Sequence, residues 1–196
     1  TIKSTSEGYF KDRNSKFYAY AYPVKNESEI KEIQQSLRKK CHDARHHCFA
    51  WRLGAGMEKY RANDDGEPSN SAGMPILNQI QSYKLTNILI VVIRYFGGTK
   101  LGIPGLINAY KTAAGLAIEN NTIIIKSILK IYKIRFDYDK MNVVMRIIND
   151  YNCQIFEQDF QADCSIQIGI KPSLTDPVLS RFDLVSGLKM NYTETI

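Results

Sequence analysis

The sequence predicts an α+β protein of two domains, on three observations. The last third of the chain reads strand, helix, strand, strand, helix, strand. An apolar run at 88–93 passes through a glycine-rich turn into a helix. The charge also changes sign along the chain. Residues 1–130 carry 19 Lys and Arg against 11 Asp and Glu, and residues 131–196 carry 7 against 9. The boundary is placed between residues 128 and 129, giving domains 1–128 and 129–196.

The elements follow in order. From Lys16 to Val24, Phe17, Ala19 and Ala21 alternate with Tyr18, Tyr20 and Tyr22, which predicts a strand with a tyrosine face. Asn26 followed by Glu29 forms a capping box, and Ile30, Ile33, Leu37 and Cys41 continue at helical spacing. His46 to Leu53 reads as a strand, Gly54-Ala55-Gly56 as a turn, and Asn63 to Asn70 as a polar loop. Ser71 is the expected cap of a helix running to about Tyr83, with Ile76, Leu77 and Ile80 inward.

The run Ile88 to Ile93 is apolar throughout and mostly β-branched, as suits a strand covered on both faces. Pro104 fits a helix start, and Leu106, Tyr110, Ala113 and Ala117 carry that helix to about Asn120. Thr122 to Phe136 reads as extended. Its length places a boundary near Ser127 to Lys130, after which come strand 131–138, helix 140–151, strands 153–160 and 164–171, helix 173–183 and strand 188–193. This βαββαβ order is ferredoxin-like.

Composition narrows the class. The apolar fraction of 44% and charged fraction of 23% are those of a globular protein. No stretch approaches the ~18–20 consecutive apolar residues of a membrane span, so no membrane partner is expected. Residues 1–8 hold no apolar core of a secretory signal, so the expected location is cytoplasmic. Cys41, Cys48, Cys153 and Cys164 form no C-x-x-C pair and are expected as free thiols. The basic excess of the N-terminal part favours a polyanionic partner, with a solvated lysine surface as the alternative.

Three groups carry candidate chemistry. Cys41 to Cys48 contains all three histidines. Their spacing fits no standard zinc pattern, and His46 and His47, adjacent on a strand, point to opposite faces. One imidazole facing a ligand is the favoured reading. The second group is Asp64-Asp65-Gly66-Glu67-Pro68-Ser69, whose carboxylates have the oxygen ligands magnesium prefers. The same residue types dominate ordinary turns, which is the favoured reading, so no metal and no cofactor is expected. The third is Arg94-Tyr95-Phe96-Gly97-Gly98-Thr99-Lys100-Leu101-Gly102, where aromatic rings and cations suit single-stranded nucleic acid. It matches neither a P-loop, since Ile103 follows Gly102, nor a dinucleotide fingerprint, since Gly97 and Gly98 are adjacent.

Three motifs drawn from these groups, Asp43 to Arg52, Asp64 to Ser69 leading to Ala72 to Leu77, and Arg94 to Gly102, resemble the Impact family, in its YigZ-like bacterial members. The resemblance covers about residues 15–120. It implies an N-terminal two-layer α/β domain like domain 2 of ribosomal protein S5. It also implies a C-terminal ferredoxin-like domain like domain V of elongation factor G. Eukaryotic relatives are implied to regulate translation, and RNA or ribosome binding is the usual suggestion for bacterial ones. The chain departs from the pattern at Asn70-Ser71, Pro104 and Asn108.

The expected function is therefore regulation of translation through RNA or a ribosome-associated component, without catalysis. Arg45, Arg52, Arg94 and Lys100 would contact phosphates, and His46, Tyr95 or Phe96 would stack or hydrogen-bond. His47, Asp65, Glu67, Ser69, Gly97, Gly98 and Gly102 complete the expected binding set. One alternative is a metal-dependent enzyme on a phosphorylated or nucleotide substrate. In it Asp64, Asp65 and Glu67 hold the metal, and His46 or His47 acts as acid or base. The other is a protein-docking module.

Overall fold

The structure is a computed structural model that describes residues 1–57, 59–160 and 164–196. It divides into two compact units, Thr1–Ile125 and Lys126–Ile196. Each has its own sheet.

The first unit is built on a five-stranded antiparallel sheet in the order β1-β2-β5-β3-β4. Its strands are β1 (Ser6–Asp12), β2 (Ser15–Pro23), β3 (His46–Leu53), β4 (Lys59–Asn63) and β5 (Ile88–Tyr95). The helices are α1 (Glu27–Lys40), α2 (Gly73–Ser82) and α3 (Gly102–Glu119). β5 lies at the centre, which explains its unalternating sequence. Ile88, Ile90 and Val92 join the core beneath α2 and α3, while Leu89, Val91 and Ile93 join the cluster beneath α1. Each fully buried aliphatic side chain contributes about 1.5–3 kcal/mol of burial free energy, so the strand anchors both layers.

The unit therefore has helices on both faces of its sheet, one layer more than the two-layer expectation. The cause is the apolar stripe of α1, whose Ile30 and Leu37 need a second buried surface. The capping box at Asn26 forms: its side chain accepts from Glu29 N–H at 3.0 Å, and Glu29 accepts in return from Lys25 N–H at 2.8 Å.

Two strands depart from the sequence reading. β1 falls in a polar segment that carries no strand signal, and β4 lies at and just before the polar loop that begins at Asn63. Both are edge strands, where one side of the ladder faces away from the sheet and polar side chains are tolerated. Ser71 does not cap α2; its hydroxyl donates to Pro68 C=O at 2.6 Å, and the helix begins at Gly73. The long extended reading of 122–136 shortens to a single bridge, Ile2 with Ile123, and the strand that starts at Lys130.

The second unit has the βαββαβ order. It comprises β6 (Lys130–Phe136), α4 (Met141–Asp150), β7 (Gln154–Phe160), β8 (Cys164–Ile170), α5 (Thr175–Asp183) and β9 (Lys189–Thr195). The antiparallel sheet runs β7-β8-β6-β9, the ferredoxin-like arrangement. Ile134, Ile166 and Ile168 pack against Val144, Ile147, Val178 and Phe182 of the two helices. Short 3-10 turns at Tyr138–Lys140 and Pro172–Leu174 lead into α4 and α5.

Candidate functional site

The acidic loop after β4 is held by its own carboxylates. Asp65 and Gly66 both have positive φ, at 41° and 87°, and Asp65 N–H donates to Asn63 Oδ1 at 2.8 Å. This is an Asx-type turn. Asp64 Oδ1 accepts from Ala72 N–H at 3.0 Å and Gly73 N–H at 2.8 Å, while Oδ2 accepts from Asn70 N–H at 2.9 Å. A carboxylate eight positions upstream thus satisfies the free N–H groups that open α2 and opposes the positive end of its dipole.

Asp65 fastens two further elements. Its Oδ2 accepts from His47 N–H of β3 at 2.7 Å, and its Oδ1 lies 2.6 Å from Arg38 Nη2 of α1. The Arg38 side chain is half exposed, so the pair's own contribution is small.

Glu67 reaches furthest inward. Its Oε1 lies 2.6 Å from Arg94 Nη1, and the two side chains are only 4% and 7% exposed. The same oxygen accepts from Tyr110 Oη at 2.8 Å. Cys48 Sγ lies 3.3 Å from that hydroxyl and 3.0 Å from Asp64 C=O. The Arg94 guanidinium lies between Phe17 and Phe96, at 5.6 Å and 5.4 Å from the ring centroids. Burial, reinforced by neighbouring negative charge, pushes Tyr110 far above the usual phenol range and also raises Cys48. Both stay protonated and act as hydrogen-bonding groups.

The two histidines separate as the strand period requires. His47 is 5% exposed on the α1 face, with Nδ1 4.0 Å from Asp65 Oδ2 and neither ring nitrogen in a hydrogen bond of good geometry among the described residues. Burial, with Arg38 nearby, lowers its pKa. His46 lies on the other face and is partly exposed, with Nδ1 3.0 Å from Asp65 C=O. A carbonyl can only accept, so Nδ1 carries the proton and Nε2 is the basic nitrogen. Gly66 packs against the His46 ring, where a Cβ would stand 3.5 Å from Nδ1.

The glycine turn is shaped by a neighbour. A Cβ on Gly97 would fall 2.0 Å from the Asn14 carbonyl carbon in the β1–β2 hairpin, and Gly97 N–H donates to Ser15 Oγ at 3.1 Å. Gly98 and Gly102 take φ of 87° and 72°. Tyr95 donates its hydroxyl to Asp43 at 3.0 Å.

The three motifs therefore meet, and His46, Asp65, Glu67, Arg94 and Phe96 form one connected group. The structure corrects the phosphate reading of Arg94, which is buried and paired inside the fold. Arg45 and Lys100 are exposed, as is Ser69 in the acidic loop, whereas Arg52 is at the far end of β3 with Nε donating to Met57 C=O at 3.1 Å. Asp64, Asp65 and Glu67 face different partners. Among the described residues, no three His, Cys, Asp or Glu side chains are placed to hold a metal ion. The sequence marks Cys48 only as a free thiol and Tyr110 only as a packing position of its helix, and Arg38 lies on α1 outside the Ile30, Ile33 and Leu37 stripe, so none of the three is legible there as a member of the group.

A two-domain α+β protein with three motifs locked together in its first unit defines a narrow class. Residues 13–118 match the family model described as the Impact N-terminal domain, and the chain belongs to the Impact family. An IMPACT family member of Haemophilus influenzae is 31% identical over 81% of this chain and 78% of its own. The IMPACT family member YigZ of Escherichia coli is 30% identical over the same shares. A crystal structure of a hypothetical protein superposes with a TM-score of 0.73 at 26% identity, covering 98% of this chain and 96% of its own. Among the described residues, no helix is long and apolar enough to cross a membrane.

Proposed function

We propose that this Impact family member acts in the cytoplasm in the regulation of translation, binding RNA or a ribosomal component through its basic N-terminal unit without turning over a substrate. The observation that carries the reading is the fate of the acidic loop. Asp64 caps α2, Asp65 joins α1 to β3, and Glu67 neutralises Arg94. Residues that an enzyme would aim at a substrate are used here to fix the positions of helices and strands.

The charge division supports the partner: the excess of cations falls within residues 1–130. Arg45 and Lys100 remain exposed for phosphate contact, and Phe96 is 55% exposed for stacking. The enzymatic alternative needs three free carboxylates and loses support from the same bonds.

Binding of total RNA and co-sedimentation with ribosomes at low salt tests the proposal. Retention of either supports it. Absence of both at 50 mM salt, where counterion release favours binding far more than at about 200 mM, overturns it.

A further inference from the structure

The α1 face of the first sheet is covered over β3 and β5 but opens towards β1. The strand register defines what the open part presents. Lys11, Lys16 and Tyr95 lie side by side across β1, β2 and β5, and Tyr9, Tyr18 and Ile93 form the next row on the same face. Tyr9 is 48% exposed and Tyr18 partly so. The rings are in contact: Tyr9 and Tyr18 have centroids 5.1 Å apart, and Tyr18 and Tyr95 are 5.9 Å apart and nearly perpendicular.

A cleft of about 400 Å³ opens here, with Lys16, Tyr18, Tyr20, Tyr95 and Phe96 in its wall and no carboxylate among its lining residues. Lys40 stands over the Tyr20 ring at 5.7 Å. Lys11 and Lys16 face each other directly across the hairpin, an arrangement that costs stability unless an anion sits between them. Arg13 follows in the turn of the same hairpin.

Aromatic rings at alternate positions beside lysines that form no ion pair among the described residues suit one chemistry, a chain of planar bases on a phosphate backbone. Every base offers a π-face, so the rings need no sequence code. A duplex keeps those faces stacked inside, and only a single strand can lay them on the sheet.

We propose that this face is where single-stranded RNA binds, with Tyr18 and Tyr95 stacking bases and Lys11 and Lys16 holding phosphates. The inference rests on the reading of the first unit as an RNA binder and assigns that binding to the β1–β2–β5 face.

The test uses the full chain and a fluorescein-labelled ten-nucleotide oligouridine at 50 mM salt. The wild type should bind it more tightly than a ten-base-pair RNA duplex. Tyr18→Leu keeps apolar bulk and should weaken binding about tenfold through the lost stack. Lys16→Gln, at an exposed position, should weaken binding and lower the salt slope by about 0.7, one phosphate contact. Lys59→Gln on β4, at the opposite edge of the sheet, should leave binding unchanged. Wild-type affinity in both Tyr18→Leu and Lys16→Gln overturns the site and leaves RNA binding standing. Duplex bound as tightly as the single strand overturns the stacking mode. A wild type that binds no RNA overturns the site, and the function it rests on falls with it when ribosomes are not retained either.

Discussion

Glu67 and Arg94 form a nearly fully buried ion pair at 2.6 Å, and it links the acidic loop to the central strand of the sheet. A buried pair of this kind is costly to break from one side, because the remaining charge is left without a counterion. Glu67→Ala should therefore destabilise the first unit by about 3–5 kcal/mol, measured by urea denaturation. Glu67→Leu combined with Arg94→Met, which removes both charges, should recover most of that loss.

Asp64 rather than Ser71 caps α2. Asp64→Ala should cost about 1–2 kcal/mol, since three backbone N–H groups lose their acceptor. Ser71→Ala removes a single bond to Pro68 and should cost less. The same denaturation experiment ranks the two, and a larger effect at Ser71 would contradict the assignment.

The legibility of the fold follows the same division. β5, α1, α3 and the ferredoxin-like unit were readable because their residues bury with a strong period or as a continuous apolar run. β1 and β4 were not, since Ser6 to Asp12 and Lys59 to Asn63 are polar edge segments with little apolar alternation. The cap of α2 was hidden for a different reason: it comes from Asp64, far outside the four-residue window that capping patterns use. The three motifs were visible as motifs, yet their mutual bonds were not. Glu67 and Arg94 are 27 residues apart, and only the pairing of β3 with β5 and the path of the loop bring them together.

Protonation of His47 should link stability to pH. Its folded pKa lies below the ordinary value of about 6.5, so the unfolded chain binds this proton more readily than the folded one. Its contribution is complete above about pH 6.5 and is lost as pH falls through the window below. Thermal melting of the wild type from pH 7.5 to 5.5 should show a decline that His47→Gln reduces. Equal slopes in the two proteins would contradict the burial of a neutral ring.

The glycines of the turn should differ in cost. Gly97→Ala places a Cβ against the Asn14 backbone and requires the β1–β2 hairpin to move. Gly98 has open space but a φ of 87°, so Gly98→Ala pays only the left-handed penalty, about 1–2 kcal/mol. Melting temperatures should rank Gly97→Ala as the more damaging change.

A basic N-terminal unit that engages a nucleic acid backbone must release counterions, and the dependence of RNA affinity on salt reads that release. The logarithm of the affinity should fall linearly with the logarithm of salt, by about 0.7 for each phosphate contacted on a single strand. An affinity that does not change with salt, or no RNA binding at any salt, would contradict it.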